Sequence, residues 1–151
     1  YFYYLRGLAN SNRDAVFLQR VWSLDPSRRD LASPQQAYDD FARVVQRYPN
    51  SKYAPDARQR MVELRNLFAR HEMDTVLYYM RRGAWLSAAS RAQYILETYP
   101  QSEFQNDAVA VLALAYRELG TTALADDATR VLQLKYYLLQ PGGGVKPFLF
   151  D

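Results

Sequence analysis

Cysteine is absent from the chain, and histidine occurs once. The first absence excludes disulfides, thiolate metal sites and cysteine nucleophiles, and it leaves the redox compartment open. With both together, no nucleophile–base set is recognisable in the sequence. His71-Glu72 looks like the opening of a zinc-protease H-E-x-x-H, but the position of the second ligand holds Thr75. His71 therefore reads as a surface or helix-packing residue. Glycine is also scarce, with six in all, and three of them stand together as Gly142-Gly143-Gly144. That run lacks the Lys-Ser/Thr of a phosphate loop and opens no helix. The longest small-apolar run, Ala108 to Tyr116, is about half of the ~20 residues that span a bilayer. No membrane helix or signal peptide is visible. The chain opens at Tyr1 in mid-pattern, as expected of a fragment or a mature form.

Other acidic pairs offer no chemistry. Asp39-Asp40 and Asp126-Asp127 are neighbours in sequence, so on a helix they diverge by about 100° and cannot share a proton. They are expected to be solvated or to pair with nearby Arg. No catalytic residue, cofactor site or metal site is predicted, and the chain is expected not to be an enzyme.

What is present suits a packed helical body. Of the residues, 49% are apolar, with 13 Tyr and 7 Phe, which is unlike a disordered chain. The net charge is +3, and Arg greatly outnumbers Lys. Arg and Tyr are over-represented at interface hot spots. The Arg are scattered; only Arg28-Arg29 and Arg81-Arg82 are adjacent.

Two segments align at an offset of 51 residues: AYDDFARVVQRYPNSKYAPDA from Ala37 and AASRAQYILETYPQSEFQNDA from Ala88. Phe41, Val44, Val45 and Tyr48 recur at helical spacing in the first, and Ala88, Ala92, Ile95, Leu96 and Tyr99 in the second. Pro49 and Pro100 stop each helix. Ser51 and Ser102 are placed to cap the next one, and Tyr53 and Phe104 to pin it to the one before. Between the copies a long helix is predicted over about 54–82, through Met61, Leu64, Leu67, Phe68, Val76, Leu77 and Met80. The turn Arg82-Gly83-Ala84-Trp85 follows, and Leu119-Gly120-Thr121 repeats it after 37 residues. Ser33-Pro34 reads as an N-cap with a first-turn proline.

Helix pairs with small residues at the crossing and aromatics at the ends resemble tetratricopeptide repeats. The expected fold is all-α, a tetratricopeptide-like helical-repeat superhelix or α-solenoid. Repeats are expected over about 1–50, 51–100 and 101–139, enough to share a continuous core. A Gly-rich tail follows at 140–151, read as disordered or as an apolar plug at Phe148-Leu149-Phe150.

Several ordered motifs resemble the BamD, or ComL, family of outer-membrane lipoproteins of the β-barrel assembly machinery. They are YYLRGLAN, the D-x-S-x-R-D loop at 25–30, PQQAYDDF, YPNSKYAPDA, RRGAW at 81–85, YPQSEFQNDA and AYRELG at 115–120. The resemblance implies a periplasmic scaffold of five repeats, of which this chain holds the last three. The acylated anchor and the repeats proposed to read unfolded barrel substrates would lie in the missing N-terminal part. The repeats present would dock the last periplasmic domain of the barrel subunit BamA and meet the lipoproteins BamC and BamE. Arg91 matches the family's Arg that faces an acidic residue of BamA, and Arg82 and Tyr94 could share that surface. Taken by itself, Arg91 reads as a solvated side chain at the edge of the inward stripe; the resemblance reverses that. Trp85 reads as core.

Two other functions fit an all-α repeat. A peptide-binding co-chaperone module would use a groove lined with Asn and Lys, and Lys is nearly absent. An RNA-binding repeat would need a basic stripe and would lose affinity steeply with salt; interspersed acids argue against one, and no nucleic acid is expected.

Overall fold

The computed structural model describes residues 1–20 and 31–139, with side chains for 1–11 and 31–134. The charged loop at 25–30 and the tail at 140–151 lie outside the described residues. Among the described residues there are six helices and no strand: α1 (Phe2–Arg20), α2 (Ala32–Arg47), α3 (Ala54–Arg81), α4 (Trp85–Thr98), α5 (Gln105–Glu118) and α6 (Thr122–Leu139). α3 matches the predicted long helix to within one residue. No helix of the described residues is long and apolar enough to cross a membrane.

The sequence repeat is a backbone repeat. Tyr48 and Tyr99 each precede a proline, which disfavours helical backbone at that residue. They sit at φ −135°, ψ 57° and φ −120°, ψ 56°. Each amide still reaches back into its helix at 2.9 Å, to the Val44 and Ile95 carbonyls. The Ser51 and Ser102 amides then donate to the Tyr48 and Tyr99 carbonyls at 3.0 and 3.2 Å. The other turn type also recurs. Gly83 and Gly120 take φ +67° and +74°, a region that glycine enters without the usual steric cost. Ala84 donates to Tyr79 O and Gly83 to Met80 O; Thr121 donates to Tyr116 O and Gly120 to Arg117 O. This double bond pattern is a Schellman closure, which satisfies the last carbonyls of α3 and α5.

Three local expectations are corrected. Neither serine caps a helix: the Ser51 and Ser102 hydroxyls are buried and make no hydrogen bond. Their main-chain carbonyls instead accept from Ala54 and Gln105 at 3.0 and 3.2 Å. α2 starts at Ala32 after Leu31, so Ser33 lies inside the first turn and provides no cap. Tyr48 and Leu77, which fall at apolar helical spacing, are exposed.

The chain divides into two compact units, Tyr1–Asp74 and Thr75–Asp151. In the first, α1 packs on α2 where Gly7 meets the fully buried ring of Phe41. A Cβ at Gly7 would stand 2.8 Å from that ring, so glycine is required for the close approach. Tyr4 presents an edge to Phe41, and Tyr38 to Phe68. Asp40 is wholly buried among them and is held by Arg6, whose Nε donates to Oδ2 at 2.7 Å and Nη2 to Oδ1. Arg43 stands 3.7 Å away. The expectation that Asp40 is solvated is overturned, and its alternative, an Arg partner, holds.

In the second unit α5 packs on both α4 and α6. Its interior is built on small residues: Ala88, Ala92, Ala108 and Ala115 have no exposed surface, and Ile95 fills the space between the helices. Small side chains let helix axes approach, so many short contacts replace a few large ones.

Candidate functional site

The turn between α3 and α4 gathers the side chains that the sequence singles out. The Schellman closure at Gly83 ends α3 with Tyr78 and Tyr79 on its last turn, Arg82 follows in the turn itself, and α4 starts at Trp85. Arg82 is exposed and lays its guanidinium 4.6 Å from the centre of the Tyr78 ring. Tyr78 in turn meets the Tyr79 ring edge-on at 5.6 Å. A cation over an aromatic face at an exposed site gains about 0.5–1 kcal/mol, so Arg82 is braced while its outer face stays in water.

Tyr79 leads to Arg91. The two line an open depression together with Leu86, Ser87 and Ser90. Leu86 is 71% exposed, a high value for a leucine one turn from a buried alanine. The helix register explains the grouping: Leu86, Ser87 and Ser90 fall at three- and four-residue spacings on α4, opposite the buried Ala88, Ala92 and Ile95, and Arg91 lies at the edge between the two faces. Arg91 is exposed, as its position beside the inward stripe predicts. Tyr94 follows Arg91 by three residues, is 40% exposed, and is set edge-on against Tyr99 at 6.0 Å.

The three residues named from sequence are thus not a single contact set. Arg91 lines the depression; Arg82 joins it through Tyr78 and Tyr79; Tyr94 adjoins Arg91 by helix register alone. Trp85 is half-buried, short of the core position expected for it. Sequence reasoning passed over Leu86, Ser87 and Ser90. The signal was present in the G-A-W-L-S spacing, because a leucine two residues before the small buried Ala88 falls on the outer face. Chemically the surface offers a guanidinium, two hydroxyls, a phenol and an exposed aliphatic side chain. That set suits a carboxylate flanked by apolar residues.

The YfiO family, described as outer membrane lipoprotein, matches residues 1–132. The chain belongs to that family. It is 65% identical over 133 residues to the outer membrane protein assembly factor BamD of Xylella fastidiosa strain 9a5c, covering 88% of this chain and 46% of that protein. It is 46% identical over 136 residues to BamD of Neisseria meningitidis serogroup A, covering 90% and 51%. Identity to BamD of Vibrio cholerae is 36% over 131 residues, covering 87% and 54%. The chain therefore spans about half the length of the curated relatives it matches. Membership agrees with the expected family and with the all-α, tetratricopeptide-like helical-repeat fold.

Proposed function

We propose that this chain is the C-terminal part of a BamD-like component of the outer-membrane β-barrel assembly machinery, acting as a non-catalytic docking scaffold. The surface at the α3–α4 turn receives the periplasmic domain of a BamA-type protein, with Arg91 pairing an acidic residue and Arg82 and Tyr94 flanking it. BamC- and BamE-type lipoproteins are further partners of the same repeats. The protein works at the periplasmic face of the outer membrane, held there by an N-terminal lipid outside this sequence. The observation that carries this reading is Arg91 beside a strongly exposed Leu86, in a chain whose relatives are outer membrane protein assembly factors. An interface centre that combines an apolar anchor with a charged donor loses affinity sharply when the charge goes, because the partner acid stays desolvated and unpaired.

Calorimetric titration of the chain against the periplasmic domains of a BamA-type protein tests it. Arg91→Ala is expected to weaken binding about 30-fold or more, and Arg91→Glu further, with helicity unchanged by circular dichroism. Binding that neither substitution alters would remove Arg91 from the interface.

A further inference from the structure

Arg91 by itself is a weak anchor. Its side chain is exposed and lines an open depression. An ion pair left in water at such a place is screened by salt and changes affinity about fivefold at most. The depression supplies what the pair lacks. Leu86 is the most exposed large apolar side chain among the described residues, at 71%, and it lines the same depression. Its surface gains nothing from the fold and leaves water only when something covers the depression.

The chain carries its own comparison. Gly83 and Gly120 close α3 and α5 with the same backbone and the same pair of hydrogen bonds. Tyr79 and Tyr116 stand at matching positions before them, and the matching Ala88 and Ala125 after them are both buried. Yet at the positions of Leu86 and Arg91, α6 carries Ala123 and Ala128. The turn and the packing therefore require neither the leucine nor the arginine, which occur together on α4 alone of the two.

We propose that Leu86 is the residue that turns Arg91 into an anchor, by excluding water from the ion pair that Arg91 makes with its partner. The inference rests on the docking reading above and states the chemistry of the partner: a carboxylate set directly beside an apolar side chain. Leu86 packs on the apolar side chain, and the guanidinium–carboxylate bond beneath that contact is shielded from solvent and salt. A ring of apolar contact around a desolvated pair is what separates an interface centre from a surface ion pair. Leu86 is thus a positioning and specificity residue that acts through Arg91.

The test is a double-mutant cycle by calorimetry, with the full chain titrated against the periplasmic domains of a BamA-type protein at low and high salt. Leu86→Ala is expected to weaken binding about tenfold and Leu86→Met to bind nearly as the unaltered chain does. The deciding quantity is the loss on Arg91→Ala in each background: about 30-fold with Leu86 present, and about fivefold or less with Leu86→Ala. Binding by Leu86→Ala should also fall more steeply with salt. Leu124→Ala, which removes a half-exposed leucine of α6, should change nothing. Equal Arg91→Ala losses in both backgrounds overturn the inference and leave the docking reading standing. A Leu124→Ala loss as large as that of Leu86→Ala overturns it too, because any exposed leucine would then serve. Arg91→Ala without effect beside Leu86 overturns the docking reading, and the inference with it.

Discussion

The two units follow one turn grammar and fill their interiors by different means. Tyr1–Asp74 packs large rings against one glycine and buries a carboxylate: Phe41 lies on Gly7, Tyr38 on Phe68, and Asp40 is gripped by Arg6. Thr75 onward packs alanine against alanine around Ile95. The whole net charge of +3 falls in the first unit, and the charges of the second balance. In keeping with that, Arg6 and Arg43 both rest over the Tyr3 ring at 5.6 Å. The difference teaches that YP and Gly turns specify where helices start and stop, while the interior is free to be solved by size or by closeness. A large-residue interior is sensitive to what is removed, and a small-residue interior to what is added.

The largest effect is expected where removal strands a charge. Arg6→Ala leaves the Asp40 carboxylate buried with only the more distant Arg43, and should lower the thermal midpoint on the order of 10 °C. Asp40→Ala should cost less, because Arg6 is 38% exposed and can return to water. Equal losses would mean that the pair is not organised around a buried acid. In the second unit the sensitive change is the reverse one. Ala92→Leu should cost about 1–3 kcal/mol by overpacking, read from denaturant unfolding; a neutral result would show that α4 has slack against its neighbours.

A smaller effect sharpens the comparison through pH. Arg60, then Tyr4, bond the Asp56 carboxylate, each at 2.7 Å, and hold its pKa below the usual carboxylate range. The stability this contributes is present above the ordinary value, about 4, and is lost as pH falls through the lower folded one. The Tyr4 hydroxyl is raised, chiefly because it donates to Asp56 and then by burial. Its contribution is present below the usual phenol value, about 10, and is lost as pH rises through the folded one. NMR titration of Asp56 should show Arg60→Ala moving it back toward the ordinary range further than Tyr4→Phe does. Tyr4→Phe should also remove the alkaline limb.

The smallest effect separates a capping serine from a buried orphan. Ser102→Ala would cost about 1 kcal/mol if the hydroxyl capped α5. With the hydroxyl buried and unbonded, the substitution is expected to be neutral or slightly stabilising. A clear loss in the unfolding midpoint would restore the cap.

Much of this arrangement was legible beforehand. The 51-residue offset foretold two turns with the same backbone, and Gly83 and Gly120 foretold left-handed helix ends. Arg91 was correctly set beside the inward stripe, since three residues of spacing suffice to say which way a helical side chain leans. The misreadings have two causes. Ser51 and Ser102 miss the cap because α3 and α5 start three residues after them, at Ala54 and Gln105. Tyr48 and Leu77 sit at apolar spacing yet face water, and Asp40, expected to be solvated or paired with Arg, is both paired and sealed in; which face a helix buries is not carried by any local pattern.

What the sequence by itself determined is where the described helices lie and how their turns close. Proline removes a donor and constrains the residue before it, glycine opens positive φ, and both effects act within a few bonds. Only the tertiary structure decided which face each helix buries, that Arg6 reaches Asp40 across 34 residues of chain, and that Leu86 and Arg91 share one depression with Tyr79. Those outcomes depend on desolvation and close packing, which exist only once separate segments have met.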